Sequence, residues 1–150
     1  MRVGEKRRMT DWDLRFLDLA NYISNWSKDP SQKVGAVIVD NNRRVLSVGF
    51  NGFPRDVEDS PERLNNKELK LSLVVHAEVN AILFSNCNLK DSTLYVSLAP
   101  CSRCAGLIIQ SGISRVVCPK PDESVSQRWK DSYELSMSMF REAGIKVKEI

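Results

Sequence analysis

His76-Ala77-Glu78-Val79-Asn80-Ala81-Ile82 and Pro100-Cys101-Ser102-Arg103-Cys104-Ala105-Gly106 lie in one stretch, residues 76–110, around which the rest of the chain is organised. Each half opens an apolar run of helical length, the first to about Asn86 and the second to about Ser111. The β-branched and aromatic segment Thr93–Ser97 separates them as a strand. Downstream the alternation continues with a strand at Arg115–Cys118 and a helix from about Gln127 to Ala143, stopped by Gly144. A final strand runs over Ile145–Ile150. Upstream, Val34–Val39 and Val45–Phe50 are short apolar runs joined at Asp40-Asn41-Asn42, the pattern of an antiparallel hairpin. Ahead of them Thr10 or Asp11 can cap a helix through about Trp26, with Trp12, Phe16, Leu19 and Ile23 on one face. A hairpin followed by alternating helices and strands predicts one α/β domain over residues 1–150, a mixed sheet with helices on both faces.

The same stretch carries the chemistry. Cys101 and Cys104 stand three residues apart at a helix start, so both sulfurs fall on one face within a turn. The positive end of the helix favours thiolate over thiol. His76 opens the other helix, so two helix N-termini converge on one ion. Three N/S ligands leave a tetrahedral zinc with one open position, where a bound water becomes acidic. Glu78 follows His76 by two residues, about 200° round a helix, an awkward place for a further ligand. At a helix start it can instead face the open position and shuttle protons. The competing reading is a structural zinc closed by a fourth ligand, Cys118 or Cys87. Both are isolated cysteines that read equally well as plain thiols, and His76 is the only histidine in the chain.

Composition narrows the class. With 150 residues, 42% apolar and 27% charged, the chain is long enough for a substantial core. A net charge of +3 with dispersed basic residues argues against a nucleic-acid partner and suits a small phosphorylated ligand. Lys6-Arg7-Arg8 reads as a solvated tail. No apolar run approaches a membrane span and no signal-peptide core is present, so a cytoplasmic location is expected. There the four cysteines point to metal or catalysis before disulfides. Gly35, inside the first strand, marks a close approach of a ligand or another backbone, or a bulge. The 25 residues from Asn51 to Val75 are longer than a compact domain needs between a strand and a helix, the length of a functional or mobile loop. Pro61–Leu73 within it reads as a short helix.

His-x-Glu with Pro-Cys-x-x-Cys resembles the established signature of the zinc nucleobase deaminases. The resemblance reaches further. Ser27–Val39, Gly49-Phe50-Asn51-Gly52-Phe53-Pro54-Arg55, Thr93–Ser97 and Cys104-Ala105 leading into Ile108–Ile113 together resemble the deoxycytidylate (dCMP) deaminases over most of residues 27–118. That resemblance implies the cytidine-deaminase fold, a three-layer α-β-α arrangement around a five-stranded mixed sheet. It implies conversion of dCMP to dUMP on the route to thymidylate, by attack of an activated water on C4 of the cytosine ring. It also implies a hexamer, activated by dCTP and inhibited by dTTP with a divalent cation, Mg2+ in the simplest case.

Carried across position by position, His76, Cys101 and Cys104 match the zinc ligands and Glu78 the proton shuttle. Asn51 matches the residue that holds the sugar, and Ala77 the one whose backbone meets the base. The effector site includes the Gly49–Gly52 segment, so Asn51 and Gly52 belong to it, and Arg55, Lys67 and Lys70 have the charge to meet a triphosphate. Each reads equally as a solvated loop charge. For the substrate phosphate the candidates are Lys28, Ser31 and Tyr133, together with Lys33 and Arg103; the last two read equally as surface residues and Tyr133 equally as a core aromatic. Two positions depart from the family pattern. Asp56 stands where glycine is usual, putting a negative charge near the expected anion site, and Gly106 stands where lysine is common. Rival substrates are free cytidine or deoxycytidine and a tRNA adenosine, although the last needs a basic face with aromatic platforms. A non-catalytic nucleotide sensor is the rival of another class, and such a module has no use for Glu78.

Overall fold

The computed structural model describes residues 11–150; Thr10 and the Lys6-Arg7-Arg8 cluster lie outside the described residues. Helix α1 (Trp12–Ser24) begins at Asp11, whose carboxylate accepts the Asp13 N–H at 2.9 Å. It stops at Asn25, just short of the expected Trp26. Strands β1 (Gly35–Val39) and β2 (Val45–Phe50) form the expected hairpin. Helices α2 (Pro61–Asn65) and α3 (Lys67–Leu73) follow, then α4 (Ala77–Phe84), β3 (Thr93–Val96), α5 (Ser102–Gln110), β4 (Arg115–Cys118), α6 (Gln127–Glu142) and β5 (Lys146–Glu149). The one helix expected over Pro61–Leu73 is broken at Asn66. This residue ends α2 in extended backbone and caps α3 by accepting the Leu69 N–H at 3.1 Å.

The five strands lie in the order β2-β1-β3-β4-β5. β1 is antiparallel to both β2 and β3, whereas β3–β4 and β4–β5 are parallel, so the sheet is mixed as expected. Period-two alternation sorts its side chains between two cores. Ala36, Ile38, Leu94, Val96, Val116 and Cys118 face the core that holds Ala81 of α4, Ile108 of α5 and Phe140 of α6. Val37, Val39, Tyr95 and Val117 face α1, against Phe16, Ala20 and Ile23. This is the three-layer arrangement, with β1 buried along its whole length because helices cover both faces.

Two glycines set how closely the layers approach. A Cβ on Gly35 would lie 2.0 Å from the Ala20 carbonyl oxygen, so the close approach there is the backbone of α1. The bulge of the hairpin falls elsewhere, between Ile38 and Val39. A Cβ on Gly49 would lie 2.5 Å from the Ala77 carbonyl oxygen, which seats the first turn of α4 directly on β2. On the α1 side, Asp13 accepts hydrogen bonds from Tyr95 (2.7 Å), Arg115 (2.8 Å) and Lys148 (2.9 Å), stapling α1 to β3, β4 and β5. The Arg115 hydrogen bond, outweighing burial, holds the Asp13 carboxyl well below the usual carboxylate range. Burial and Asp13 together push the Tyr95 phenol above its ordinary value.

The long connection leaves and returns at one place. Gly52 and Val75 form a two-way bridge, N–H to O distances 3.1 and 2.7 Å, so the excursion between them does not loosen the backbone entering His76. Among the described residues no helix is long and apolar enough to cross a membrane.

Candidate active site

His76 and Cys101 occupy equivalent places, each the residue immediately before a helix. His76 precedes α4 with φ −70° and ψ 155°, and Cys101 precedes α5 with φ −73° and ψ 167°. Neither side chain caps its helix, so the imidazole and the sulfur are free for another task. Cys104, one turn into α5, is buried. The His76 Nδ1 lies 3.2 Å from Cys104 Sγ and 3.5 Å from Cys101 Sγ, and the three ligand atoms all lie within 4.8 Å of one another. Tetrahedral zinc with Zn–N and Zn–S bonds of about 2.05 and 2.3 Å sets N and S about 3.6 Å apart, so the group fits that ion. Cys87 and Cys118 stand outside the group. Cys87 is exposed, and Cys118 is a buried core thiol whose pKa burial pushes up to about 12.

The electrostatics suit a cation. A hydrogen bond from Cys104, supported by His76, draws the Cys101 thiol down to about 4. The same contact and burial move the Cys104 thiol upward. The bond with Cys101 raises the His76 pKa against the opposing effect of burial. Glu78 is only 4% exposed, and burial pushes its carboxyl above the usual range, with its own backbone hydrogen bond and His76 pulling the other way. A carboxyl so placed holds a proton more readily than an exposed one, which suits a group that passes protons on.

Neighbouring elements hold both arms. Besides the Gly49 contact, α4 is fixed by the Ser47 hydroxyl donating to the Ala81 carbonyl (2.7 Å) and by the Asn80 amide donating to the Phe50 carbonyl (2.7 Å). Helix α6 holds the cysteine arm. Ser136 donates to the Pro100 carbonyl at 2.9 Å, and Ser132 accepts the Ser102 N–H at 2.9 Å.

The group opens into a cavity of about 250 Å³ that Glu78 and Ala77 also line. This is near the lower end of small-molecule sites, about 300 Å³, and suits a single nucleoside or nucleotide. Leu98 and Trp129 supply apolar wall, and Asp29, Gln32, Asn51 and Lys70 the remaining polar lining. A model of the cytidine and deoxycytidylate deaminase zinc-binding region matches residues 10–120. The chain belongs to this family.

Relatives and folds agree with that placement. An uncharacterized deaminase of Aliivibrio fischeri is 44% identical over 139 residues, covering 93% of each chain. The mouse deoxycytidylate deaminase is 36% identical over 143 residues, 90% of this chain and 77% of its own. In structure, the dCMP deaminase of cyanophage S-TIM5 in complex with dCMP and dUMP superposes with a TM-score of 0.72. It is 24% identical and covered to 99%, with all of this chain aligned.

Within this deaminase the expected site residues separate into two sets. His76, Ala77, Glu78, Cys101 and Asn51 line the cavity together, with Cys104 behind them. Asn51 is buried and ties the segment before β1 in place. Its Oδ1 accepts the Val34 N–H at 2.9 Å, and its Nδ2 donates to the Gln32 carbonyl at 2.8 Å. Nδ2 carries a second hydrogen, which leaves Asn51 able to meet a ligand as well.

The phosphate candidates do not join them. Lys28 is exposed and paired with Asp59 at 2.9 Å, Ser31 is exposed outside the cavity lining, and Lys33 and Arg103 are surface residues. Tyr133 donates to Glu149 at 2.6 Å and stacks on Trp129, so its hydroxyl is committed to β5.

Of the effector candidates, Gly52 is held in the Val75 bridge, Lys67 is exposed, and Arg55 lies over the Phe84 ring at 5.3 Å. Lys70 corrects the expectation of a loop charge. It is 7% exposed, lines the cavity and pairs with Asp29 at 2.9 Å, because α3 turns it inward. Asp56 has φ 66°, a left-handed conformation that glycine adopts without a Cβ penalty. Sequence reasoning missed Trp129, Asp29 and Lys70 as cavity residues. The spacing of Trp129 and Tyr133 was a usable sign of an aromatic pair on one helix face.

Proposed function

We propose that this deaminase converts dCMP and water to dUMP and ammonia. The observation that carries the reading is the buried Glu78 sharing one nucleotide-sized cavity with His76, Cys101 and Asn51. The choice of dCMP is supported by relatives named deoxycytidylate deaminase, the mouse enzyme among them.

Zinc held by His76, Cys101 and Cys104 would supply a Lewis acid that makes a water at the open position acidic near pH 7, by the general behaviour of such sites at about that pKa. Glu78 takes the first proton of the attacking water as its oxygen adds to C4 of the ring, and delivers that proton to N3. Glu78 then takes the remaining hydroxyl proton and gives it to the amino group. The C4–N bond breaks, ammonia leaves, and the oxygen becomes the carbonyl of dUMP. Leu98 and Trp129 shield the ring from bulk water, and the second Nδ2 hydrogen of Asn51 meets the sugar. The Ala77 backbone meets the base.

The same proposal includes supply of dUMP for thymidylate, and a hexamer activated by dCTP and inhibited by dTTP with Mg2+. Its support is the likeness of Gly49–Arg55 to the family's effector segment, with Arg55 and Lys67 exposed to meet a triphosphate. Ammonia release from dCMP, deoxycytidine, cytidine, dCTP and a tRNA hairpin, measured in parallel, tests the substrate. Preference for any of the others over dCMP overturns it, and indifference to dTTP and dCTP removes the regulation.

A further inference from the structure

A lysine and an aspartate have been placed at the wall of the cavity where neither is needed for the metal. Lys70 and Asp29 are 7% and 6% exposed and stand 41 residues apart in sequence. A buried ion pair is a poor source of net stability, because desolvation offsets most of the attraction. What such a pair does well is fix geometry, and here the geometry leads to the substrate side of the site.

The connection can be followed bond by bond. Asp29 Oδ1 accepts three hydrogen bonds, from Lys70 Nζ (2.9 Å), the Ser31 N–H (2.8 Å) and the Gln32 N–H (3.0 Å). The Gln32 carbonyl, whose own N–H is held in that way, accepts the Asn51 amide at 2.8 Å. Asn51 Oδ1 in turn accepts the Val34 N–H at 2.9 Å, at the entrance to β1. Lys70 therefore reaches Asn51 through Asp29 and Gln32. It does so from α3, which leads through Val74 and Val75 into His76. One ion pair ties the segment that carries the metal ligand to the turn that orients the amide.

We propose that Lys70 and Asp29 form a positioning pair that sets the 29–34 segment and Asn51 at the correct distance from the metal for the sugar of the nucleotide. The inference rests on the deamination proposed above and on Asn51 meeting the sugar. Lys70 acts through Asp29 and is not a phosphate ligand; the Asp29 carboxylate beside it makes that wall a poor anion site.

The test uses zinc-loaded Lys70→Met, Asp29→Asn and the double variant. Four quantities are read for each: thermal midpoint, zinc content, dUMP binding by calorimetry, and KM and kcat for dCMP and deoxycytidine. Lys70→Met should keep its zinc, weaken dUMP binding and raise KM for both substrates about tenfold, with kcat changed less than about threefold, the signature of lost uniform binding. Each single variant leaves a charge buried alone and should melt earlier. The neutral double variant should recover the midpoint and keep the raised KM, because the link between α3 and the turn is still missing. KM recovering along with the midpoint would show a purely structural pair and overturn the proposal. A rise confined to dCMP, or unchanged KM and dUMP affinity in Lys70→Met, would also overturn it. A wild type that binds dUMP but forms none from dCMP would instead remove the proposed function and leave this inference to the dUMP affinities.

Discussion

The backbone of Gly49 in β2 lies directly against that of Ala77 in α4, so close that a single added carbon would sit 2.5 Å from the Ala77 carbonyl oxygen and 2.5 Å from the Ala81 nitrogen. Ala77 stands between His76 and Glu78, so this contact sets the height of both above the sheet. Backbone atoms cannot swing aside as a side chain end can. Gly49→Ala must therefore lift the first turn of α4. We expect a loss of about 1–3 kcal/mol in stability from overpacking. Turnover should fall further than stability does, since about 1 Å of misplacement can cost on the order of a hundredfold in rate. Thermal unfolding and initial rates check this. Gly106→Ala, whose Cβ would meet only Met139 at 3.7 Å, is the control and should not destabilise.

Asp13 should govern the acid limit of the fold. Its folded pKa is depressed from an ordinary 3.8, chiefly by the Arg115 hydrogen bond, so its contribution is present above that value and lost as the pH falls through the folded pKa. Asp13→Asn should lower stability near neutral pH by about 2–3 kcal/mol, allowing for the partial exposure of its partners. The gap to wild type should narrow as the pH falls below about 4. Denaturant titrations at several pH values read it directly, and a gap constant with pH would contradict the assignment.

Cys118 distinguishes an open metal site from a closed one. It is fully buried in the core on the α4 side of the sheet and outside the ligand group. Cys118→Ala should retain one zinc per chain and lose about 1–2 kcal/mol of stability through the small cavity it leaves. Metal analysis after dialysis checks it; loss of zinc would point to a fourth protein ligand.

How much of this was legible in the chain depended on range. The metal group could be read because Cys101 and Cys104 are local neighbours on one helix turn, and His76 had no rival histidine. The sheet could be read because its strands alternate with helices and its hairpin is continuous in sequence. Lys70 could not, since only tertiary packing shows that α3 turns it inward to a partner 41 residues away. The hydroxyl of Tyr133 was hidden in the same way, because its acceptor Glu149 belongs to a strand that pairs only in the folded sheet. Asn66 divided the expected helix by capping α3, a competition between side chain and backbone that periodicity does not register. Gly35 was legible as a close approach, and the helix backbone it meets was not.

Asp56 offers a stability gain. Its φ of 66° places an L side chain in the left-handed region, where glycine carries no Cβ penalty. Asp56→Gly should raise stability by about 0.5–1 kcal/mol, the residue of a conformational gain over glycine's entropy cost. A lower thermal midpoint would show that the carboxylate makes a compensating contact.

The most direct measurement is dUMP formation by Glu78→Gln beside the wild type, with zinc content and dUMP binding determined on the same samples. Glutamine keeps the size and a hydrogen-bonding end but cannot carry a proton between water, N3 and the leaving amine. The account predicts one zinc per chain and intact dUMP binding in both proteins. It predicts rapid dUMP formation by the wild type and a fall of at least about a hundredfold in the variant. Turnover surviving in Glu78→Gln at near wild-type rate would contradict it.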